Sequence, residues 1–228
     1  MKKLGLFCAV VMSIFTFAGC NQPETSNISE EDYVLFPALN GDKYGYIDTS
    51  GNIVINPQFE DAWPFSEGLA KVKLGDRWGY IDKTGNIVIN PQFKEAWSFS
   101  EGMAKVKPED RWGYIDMSGK IVVSPQFDDA FDFSEGLACV AVGDSYGYIN
   151  KTGNLVINPQ FDFAGAFSEG LADVKLGDRW GYIDTSGNIV INPQFDFAGA
   201  FSEGTAKVEI EERWAHIDKS GKIVYSEE

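Results

Sequence analysis

Hydrophobic and polar positions alternate in short runs along this chain, and each run ends at glycine, asparagine, aspartate or proline. In residues 69–74 apolar side chains alternate with Lys71 and Lys73, which predicts a strand with one face in solvent. A Gly-Asp turn follows, and "RWGYID" predicts a second strand. No stretch offers ten residues at helical spacing, so the pattern predicts an all-β fold.

The rest of this unit predicts a turn, a third strand and a compact connection. "DKTGN" is typical of a type I turn closed by a bulge, with Gly85 in the left-handed conformation. "NIVIN" predicts a strand that Pro91 stops, because proline cannot donate to a β-ladder. In the connection "PQFKEAWSFSEG", Trp97 and Phe99 are predicted to pack beneath the neighbouring unit.

An aromatic residue followed by glycine recurs at a constant interval of 34 residues, without insertion or deletion. The pairs are Tyr44-Gly45, Trp78-Gly79, Trp112-Gly113, Tyr146-Gly147 and Trp180-Gly181, with Trp214-Ala215 as an altered sixth copy. Three short strands cannot bury their apolar faces alone, so adjacent units must stack. The sequence therefore predicts tandem three-stranded β repeats stacked as an open solenoid or superhelix. A six-bladed propeller-like ring is the alternative. The open array is favoured because Pro37 interrupts the first strand and the last unit ends in the polar "KIVYSEE", as caps do.

The motifs "WGYIDKTGNIVINPQF" and "FSEGLAKVK" together resemble the bacterial WG-repeat family, a β repeat named after its Trp-Gly pair. The resemblance extends from about Leu35 to Ser226. Tyr44 and Tyr146 replace the signature tryptophan, and Ala215 replaces the glycine. The resemblance implies an all-β repeat array that is frequently exported and has no established reaction, with binding as the usual expectation.

The N-terminus predicts export and a lipid anchor. Lys2 and Lys3 precede an apolar run, Leu4–Phe17, that is shorter than the ~20 residues of a membrane span. The closing "FAGC" resembles the bacterial lipobox, which implies cleavage before Cys20 and acylation of that cysteine; an ordinary signal with an incidental cysteine is the alternative. The predicted organisation is a lipoprotein signal peptide at 1–19, the lipidated cysteine and a flexible tether at 20–34, and a repeat domain at 35–228. That domain contains five full units and a truncated sixth. The expected location is the outer membrane, or the outer face of the plasma membrane in a Gram-positive host.

Charge and cysteine content narrow the choice of partners. Loss of the signal with its two lysines leaves 17 of the 19 basic residues against 34 acidic ones, a net charge of −17. Such a chain should repel nucleic acid. Only Cys20 and Cys139 would remain, so acylation of Cys20 excludes an intramolecular disulfide.

No unit carries a distinctive reactive cluster, so we predict a protein that is not an enzyme and has no cofactor, metal or catalytic residue. His216 is the only histidine. A turn oxygen recurs at Asp82, Asp116, Asn150, Asp184 and Asp218, where bonding to backbone amides is favoured over a calcium site. A glutamate recurs at Glu67, Glu101, Glu135, Glu169 and Glu203, where a hydrolase is the least favoured reading. Cys139 is predicted to be a packed thiol.

The connections vary most, and their aromatic residues are the candidate ligand-binding side chains: Trp63, Trp97 and Phe131. In the last two units Gly165 and Gly199 replace this aromatic, while Phe163 and Phe197 appear two residues earlier. Such an exchange favours core packing for the tryptophans, with a surface row able to hold a peptide or sugar as the alternative. The function predicted is a membrane-anchored, extracytoplasmic scaffold for an envelope protein, or alternatively a lipoprotein that binds cell-wall glycan.

Overall fold

The computed structural model describes residues 34–226, which fold entirely as β-structure. No helix of this part of the chain has the length and apolarity needed to cross a membrane. The strands are β1 (Phe36–Asn40), β2 (Lys43–Ile47), β3 (Ile53–Phe59), β4 (Asp61–Ala62), β5 (Ala70–Leu74), β6 (Arg77–Ile81), β7 (Ile87–Phe93), β8 (Glu95–Ala96), β9 (Met103–Lys107), β10 (Trp112–Asp116), β11 (Ile121–Phe127), β12 (Asp129–Ala130), β13 (Leu137–Val142), β14 (Ser145–Asn150), β15 (Leu155–Phe161), β16 (Phe163–Ala164), β17 (Leu171–Leu176), β18 (Arg179–Asp184), β19 (Ile189–Phe195), β20 (Phe197–Ala198), β21 (Thr205–Ile210), β22 (Arg213–Asp218) and β23 (Ile223–Ser226).

The strands form six antiparallel sheets, one for each unit. The first sheet has the order β1-β2-β3, and the others have four strands in the orders β4-β5-β6-β7, β8-β9-β10-β11, β12-β13-β14-β15, β16-β17-β18-β19 and β20-β21-β22-β23. The additional strand of each four-stranded sheet is a two-residue piece of the connection. In the second sheet this strand is β4, in which Asp61 pairs with Lys73 and Ala62 with Val72. The predicted three strands per unit therefore omitted one short edge strand, because two residues leave no readable alternation.

Each sheet packs one face against the next sheet, so the cores lie between units rather than within them. We call the face that meets the following sheet the outgoing face, and the opposite one the incoming face. In the first core the outgoing face supplies Tyr46, Ile55 and Phe59, and the next sheet's incoming face supplies Ala70, Val72 and Ile81. Four further cores repeat this arrangement along the described chain. Single units have no core of their own, which is why the sequence repeats.

Hydrogen bonds join successive units at fixed spacings. The Ser66 hydroxyl donates to the Phe99 carbonyl over 2.7 Å, and the Gly102 amide donates to the Glu67 carboxylate over 2.8 Å. The serine bond returns at Ser100, Ser134 and Ser168, and the glutamate bond at Glu101, Glu135 and Glu169. The recurring glutamates thus connect units, which is a structural role.

Both ends of the array of described residues are open. Phe36 is 47% exposed, whereas Ala70, at the equivalent position of the second sheet, is buried. At the other end Tyr225 is 60% exposed, whereas the equivalent Ile89 is buried. A closed ring would cover both faces, so this part of the chain is an open stack. Pro37 does not interrupt the first strand as predicted: it lies within β1, where an edge strand tolerates proline.

The glycine of each aromatic-Gly pair makes room for a bulge. Trp78 pairs with Phe93 and Tyr80 with Ile89, so residues 90–92 bulge over Gly79. A Cβ on Gly79 would lie 2.5 Å from the Ile89 carbonyl oxygen.

The prediction that Pro91 stops its strand is therefore wrong, because β7 runs through it. The missing proline amide falls in the bulge, where the ladder is already interrupted. In the sixth unit "KIVYS" lacks the proline, Ala215 pairs directly with Ser226, and a Cβ is tolerated. The glycine and the proline of each full unit thus belong to the same bulge.

We expect Gly79→Ala to destabilise the protein by about 2 kcal/mol or more, since the methyl group collides with backbone that cannot rotate away. The matched control is Gly199→Ala, where an added Cβ finds its nearest neighbour at 3.5 Å. Urea unfolding followed by circular dichroism measures both. Equal stabilities of the two variants would contradict this account of the bulge.

Candidate functional site

Aromatic side chains from successive units form a line along the stack, in which the Lys105 ammonium stands between the rings of Trp97 and Phe131. We call this line the aromatic row; its members are Trp63, Trp97, Phe131, Phe163, Trp180, Phe197 and Trp214. Ring centroids of Trp63 and Trp97 lie 6.5 Å apart, and those of Phe131 and Phe163 lie 6.0 Å apart. From Phe163 onward, neighbouring rings are 5.5, 5.5 and 5.8 Å apart.

The row is at the surface, so the favoured prediction of a core role for the tryptophans is wrong. Trp63 is 43% exposed and Trp97 is 42% exposed, while Phe131 is half-buried. Each follows a two-residue strand at the edge of its sheet. Phe163 and Phe197 occupy the same row, so the exchange keeps a ring in place and extends the row into the C-terminal half.

Lys71 lies beneath the first two tryptophans. Its ammonium is 4.2 Å from the ring centre of Trp63, 4.7 Å from that of Trp78 and 5.2 Å from that of Trp97. It also donates to the Ala96 carbonyl of the next unit over 2.9 Å. Lys71 is only 6% exposed, which corrects the prediction of a solvent-facing lysine. Burial lowers its pKa, and the rings and the carbonyl compensate in part for the lost water.

The arrangement repeats one unit later. The Lys105 ammonium lies 4.3 Å from the ring centre of Trp97 and 5.5 Å from that of Phe131, and donates to the Ala130 carbonyl over 2.9 Å. Asp132 stands 3.8 Å from the same ammonium. Burial lowers the pKa of Lys105 and raises that of Asp132. Rings and ammonium groups therefore alternate through the first half of the row.

The next two units change the residue at the lysine position. Cys139 is buried and its thiol donates to the Ala164 carbonyl over 3.2 Å, which confirms the predicted packed thiol. Burial raises its pKa, so it stays protonated. One unit further, Asp173 stands at this position, opposite Gly165 where earlier units have an aromatic residue. A lysine, a lysine, a cysteine and an aspartate thus follow one another beneath the row.

Asp173 is 6% exposed, and burial raises its pKa to about 6. Within residues 34–226, the side chain has no hydrogen-bond partner beyond its own backbone amide and no cation within salt-bridge distance. Asp173 lines a cleft of about 570 Å³. The cleft is lined by Asp162, Phe163, Asp173, Lys175, Trp180, Phe197, Ala198 and Gly199. Sequence reasoning missed this site; the signal was the simultaneous change of lysine to aspartate and of tryptophan to glycine.

The other candidate groups have structural partners. Asp82 accepts bonds from the backbone amides of Thr84 and Asn86, so the predicted turn role is confirmed. His216 packs edge-on against Tyr225, with ring centroids 6.0 Å apart. No three His, Cys, Asp or Glu side chains within 34–226 are grouped to hold a metal ion. Cys20, the predicted lipidation site, lies outside the described residues.

The sequence model of a family described as "WG containing repeat" matches most of the chain. The five matches cover residues 44–78, 78–110, 112–145, 146–180 and 180–214. No curated protein matches the chain at a significant level.

Similarity to solved structures is found at very low sequence identity, and the fold likeness rests on Hsv2. Hsv2 of Kluyveromyces lactis, a propeller-like protein, is 9% identical, with 81% of this chain and 71% of that chain covered and a TM-score of 0.51. A form of Hsv2 with loop 6CD replaced by a Gly-Ser linker is also 9% identical, with 70% and 62% covered and a TM-score of 0.47. A protein of unknown function from Bacteroides caccae is 16% identical, with 85% and 93% covered and a TM-score of 0.34. The chain thus spans about six to seven tenths of these Hsv2 chains, and the likeness to Hsv2 concerns the fold alone.

Asp173→Asn should stabilise the protein at neutral pH. A carboxyl group whose folded pKa is about 6, against an ordinary 3.8, disfavours folding once it is ionised. The free energy of unfolding of the native protein, relative to that of the variant, should therefore fall as the pH rises from 4 to 6 and stay constant above pH 6. The expected fall is about 3 kcal/mol, because each pKa unit corresponds to ~1.4 kcal/mol. Urea unfolding from pH 3.5 to 8 measures the difference, and a constant difference across this range would refute it.

Proposed function

The chain belongs to the WG-containing repeat family, and we propose that it is a scaffold that binds a protein of the cell envelope while anchored to a membrane. The binding surface is the aromatic row. The observation that carries the proposal is the exposure of Trp63 and Trp97 in a protein that fully buries the recurring tyrosine of each shared core, such as Tyr80. Tryptophan is the residue type most enriched at the energetic centres of protein interfaces.

Charge along the row supports a peptide or protein as the occupant. Ammonium groups of Lys71 and Lys105 lie beneath the first half, Asp173 lies in the second half, and the Lys207 ammonium stands 4.6 Å from the Trp214 ring at the far end. An extended partner with a basic group opposite Asp173 and acidic groups on either side of it would match this pattern. Such a match gives orientation and specificity more than affinity.

A glycan is the second candidate because the same rings are exposed in a regular series. Neighbouring rings in the row are about 6 Å apart and tilted by 48° between Trp63 and Trp97. Exposed rings of this kind can stack on the apolar faces of sugars. An uncharged sugar polymer, however, would not interact with the charged groups that recur along the row.

The location of the scaffold follows from the N-terminal sequence. "FAGC" resembles a lipobox, so Cys20 would carry acyl chains and hold the domain at a membrane outside the cytoplasm. Each buried CH₂ of an acyl chain contributes ~0.8 kcal/mol, so two or more chains suffice for stable anchoring.

Replacing both Trp63 and Trp97 by alanine should remove partner capture and leave the fold nearly intact. The full chain, tagged and crosslinked in the envelope of its source organism, is recovered for mass spectrometry. We expect one abundant envelope protein with the native chain and its loss with the double variant. Val88→Ala, an exposed apolar residue on another strand, is the control. Capture of cell-wall glycan instead, competed by soluble fragments, would favour the second candidate; unchanged protein capture would exclude the row as the binding surface.

Cys20→Ser tests the anchor separately. We expect the variant to leave the membrane fraction for the soluble fraction because it has no thiol to acylate. Metabolic labelling with a fatty-acid analogue should mark the native chain and not the variant. Labelling of both forms would refute lipidation at this residue.

A further inference from the structure

We propose that the cleft around Asp173 binds an alkylammonium group, such as the side chain of a lysine in the partner. The inference deepens the proposed function and rests on it, because the cleft is part of the aromatic row.

Asp173 stands at the position that carries a hydrogen-bond donor in the three preceding units. At the equivalent positions Lys71, Lys105 and Cys139 each donate a hydrogen bond to an alanine carbonyl of the next unit. The alanine that continues this series is Ala198, and it lines the cleft beside Asp173. An ionised carboxylate cannot donate. A cation with several N–H groups, placed between the two residues, would bond both oxygens.

The walls of the cleft are largely aromatic. Phe163, Trp180 and Phe197 surround the cleft, as tryptophans surround the ammonium of Lys71 in the second unit. Ring faces attract cations with an energy that grows when water is excluded. The fifth unit thus keeps aromatic walls around a position where an ammonium group stands in two earlier units, and presents a carboxylate there.

The fifth and sixth units lack the aromatic side chain that earlier units carry in the connection. Gly165 and Gly199 stand where earlier units carry Trp63, Trp97 and Phe131. A Cβ on Gly165 would overlap the Asp173 carboxylate, whereas Gly199 opens into the cleft. The volume left by the absent rings admits the alkyl chain that carries the ammonium. A metal ion fits less well, because the walls offer rings in place of a set of converging oxygens.

Two carboxylates line the cleft: that of Asp173, which is buried, and that of Asp162, which is exposed. Burial raises the pKa of Cys139, Tyr148 and Tyr182, which keeps these groups neutral at pH 7. Asp162 uses one carboxylate oxygen to accept the Gly177 amide.

Two lysines lie close by. Lys175 is half-buried in the cleft wall, and the ammonium of Lys207 lies 4.6 Å from the ring centre of Trp214. Among residues 34–226, Lys175 has no ion pair with Asp173.

The test uses the purified full chain and two probes, Nα-acetyl-lysine methylamide and 1,5-diaminopentane, with binding measured by calorimetry at pH 7.5. We expect binding of at least one probe, no binding of the neutral Nε-acetylated lysine probe, and a loss of about tenfold or more in Asp173→Asn. Asp178→Asn, an exposed carboxylate outside the cleft, is the matched control and should bind normally. Binding should weaken as the pH falls through about 6.

A second variant keeps the test independent of any general effect of removing the charge. Asp173→Lys should abolish binding because its own ammonium would take the place of the ligand, and its unfolding midpoint should not fall below that of the native protein. Preference for the lysine probe assigns the site to a protein partner, and preference for the diamine assigns it to a free amine. Failure of both probes, or equal binding by the native chain and Asp173→Asn, would overturn the proposal.

The two proposals fail separately. Amine binding without capture of any envelope protein would leave the subsite intact and overturn the scaffold. Capture that Asp173→Asn leaves unchanged, together with failure of the probes, would overturn the subsite alone.

Discussion

The burial of each sheet's outgoing face by the next unit is the interaction on which the whole structure depends. A fully buried tyrosine lies near the centre of each shared core, and its hydroxyl must find an acceptor because an unbonded buried hydroxyl is costly. Tyr46 donates to the Trp63 carbonyl and Tyr80 to the Trp97 carbonyl, over 2.8 and 2.7 Å. These bonds hold the chain where it leaves the short edge strand. The core therefore also positions the surface tryptophans that the proposed function requires.

Much of the local structure could be read from the sequence because it depends on neighbours in the chain. The turn that contains Asp82 and Gly85 forms as predicted, with Gly85 at φ 87°. The two-residue strand and the burial of Lys71 could not be read in this way. Lys71 is buried because its partners are a carbonyl 25 residues later and rings from two units. The alternation of apolar and polar residues along one strand does not indicate such contacts with other units.

The candidate site was predictable in part. Trp63, Trp97 and Phe131 stand out because the connection varies where the rest of the unit is constant, and they do lie in one row. Their exposure depends on where the covering sheet ends, which is a tertiary property. Asp173 was not predicted as a site residue because its strand has the same apolar and polar alternation as the other units. Its role depends on contacts that only the folded structure shows, with Gly165 and with the cleft that the next unit helps to line.

The open ends of the stack have a consequence for how the domain loosens. Each interior sheet shares two cores, whereas the first and last sheets share one each. In a structure of nearest-neighbour contacts, the free energy of local opening therefore rises from the ends toward the middle. Amide hydrogens near the termini should exchange first, as the terminal sheets fray. Asp173 belongs to the fifth sheet, which shares a core on both sides, whereas Phe197, Ala198 and Gly199 of the cleft come from the last sheet and its preceding connection. Fraying of the last sheet therefore opens one wall of the cleft while Asp173 stays in place.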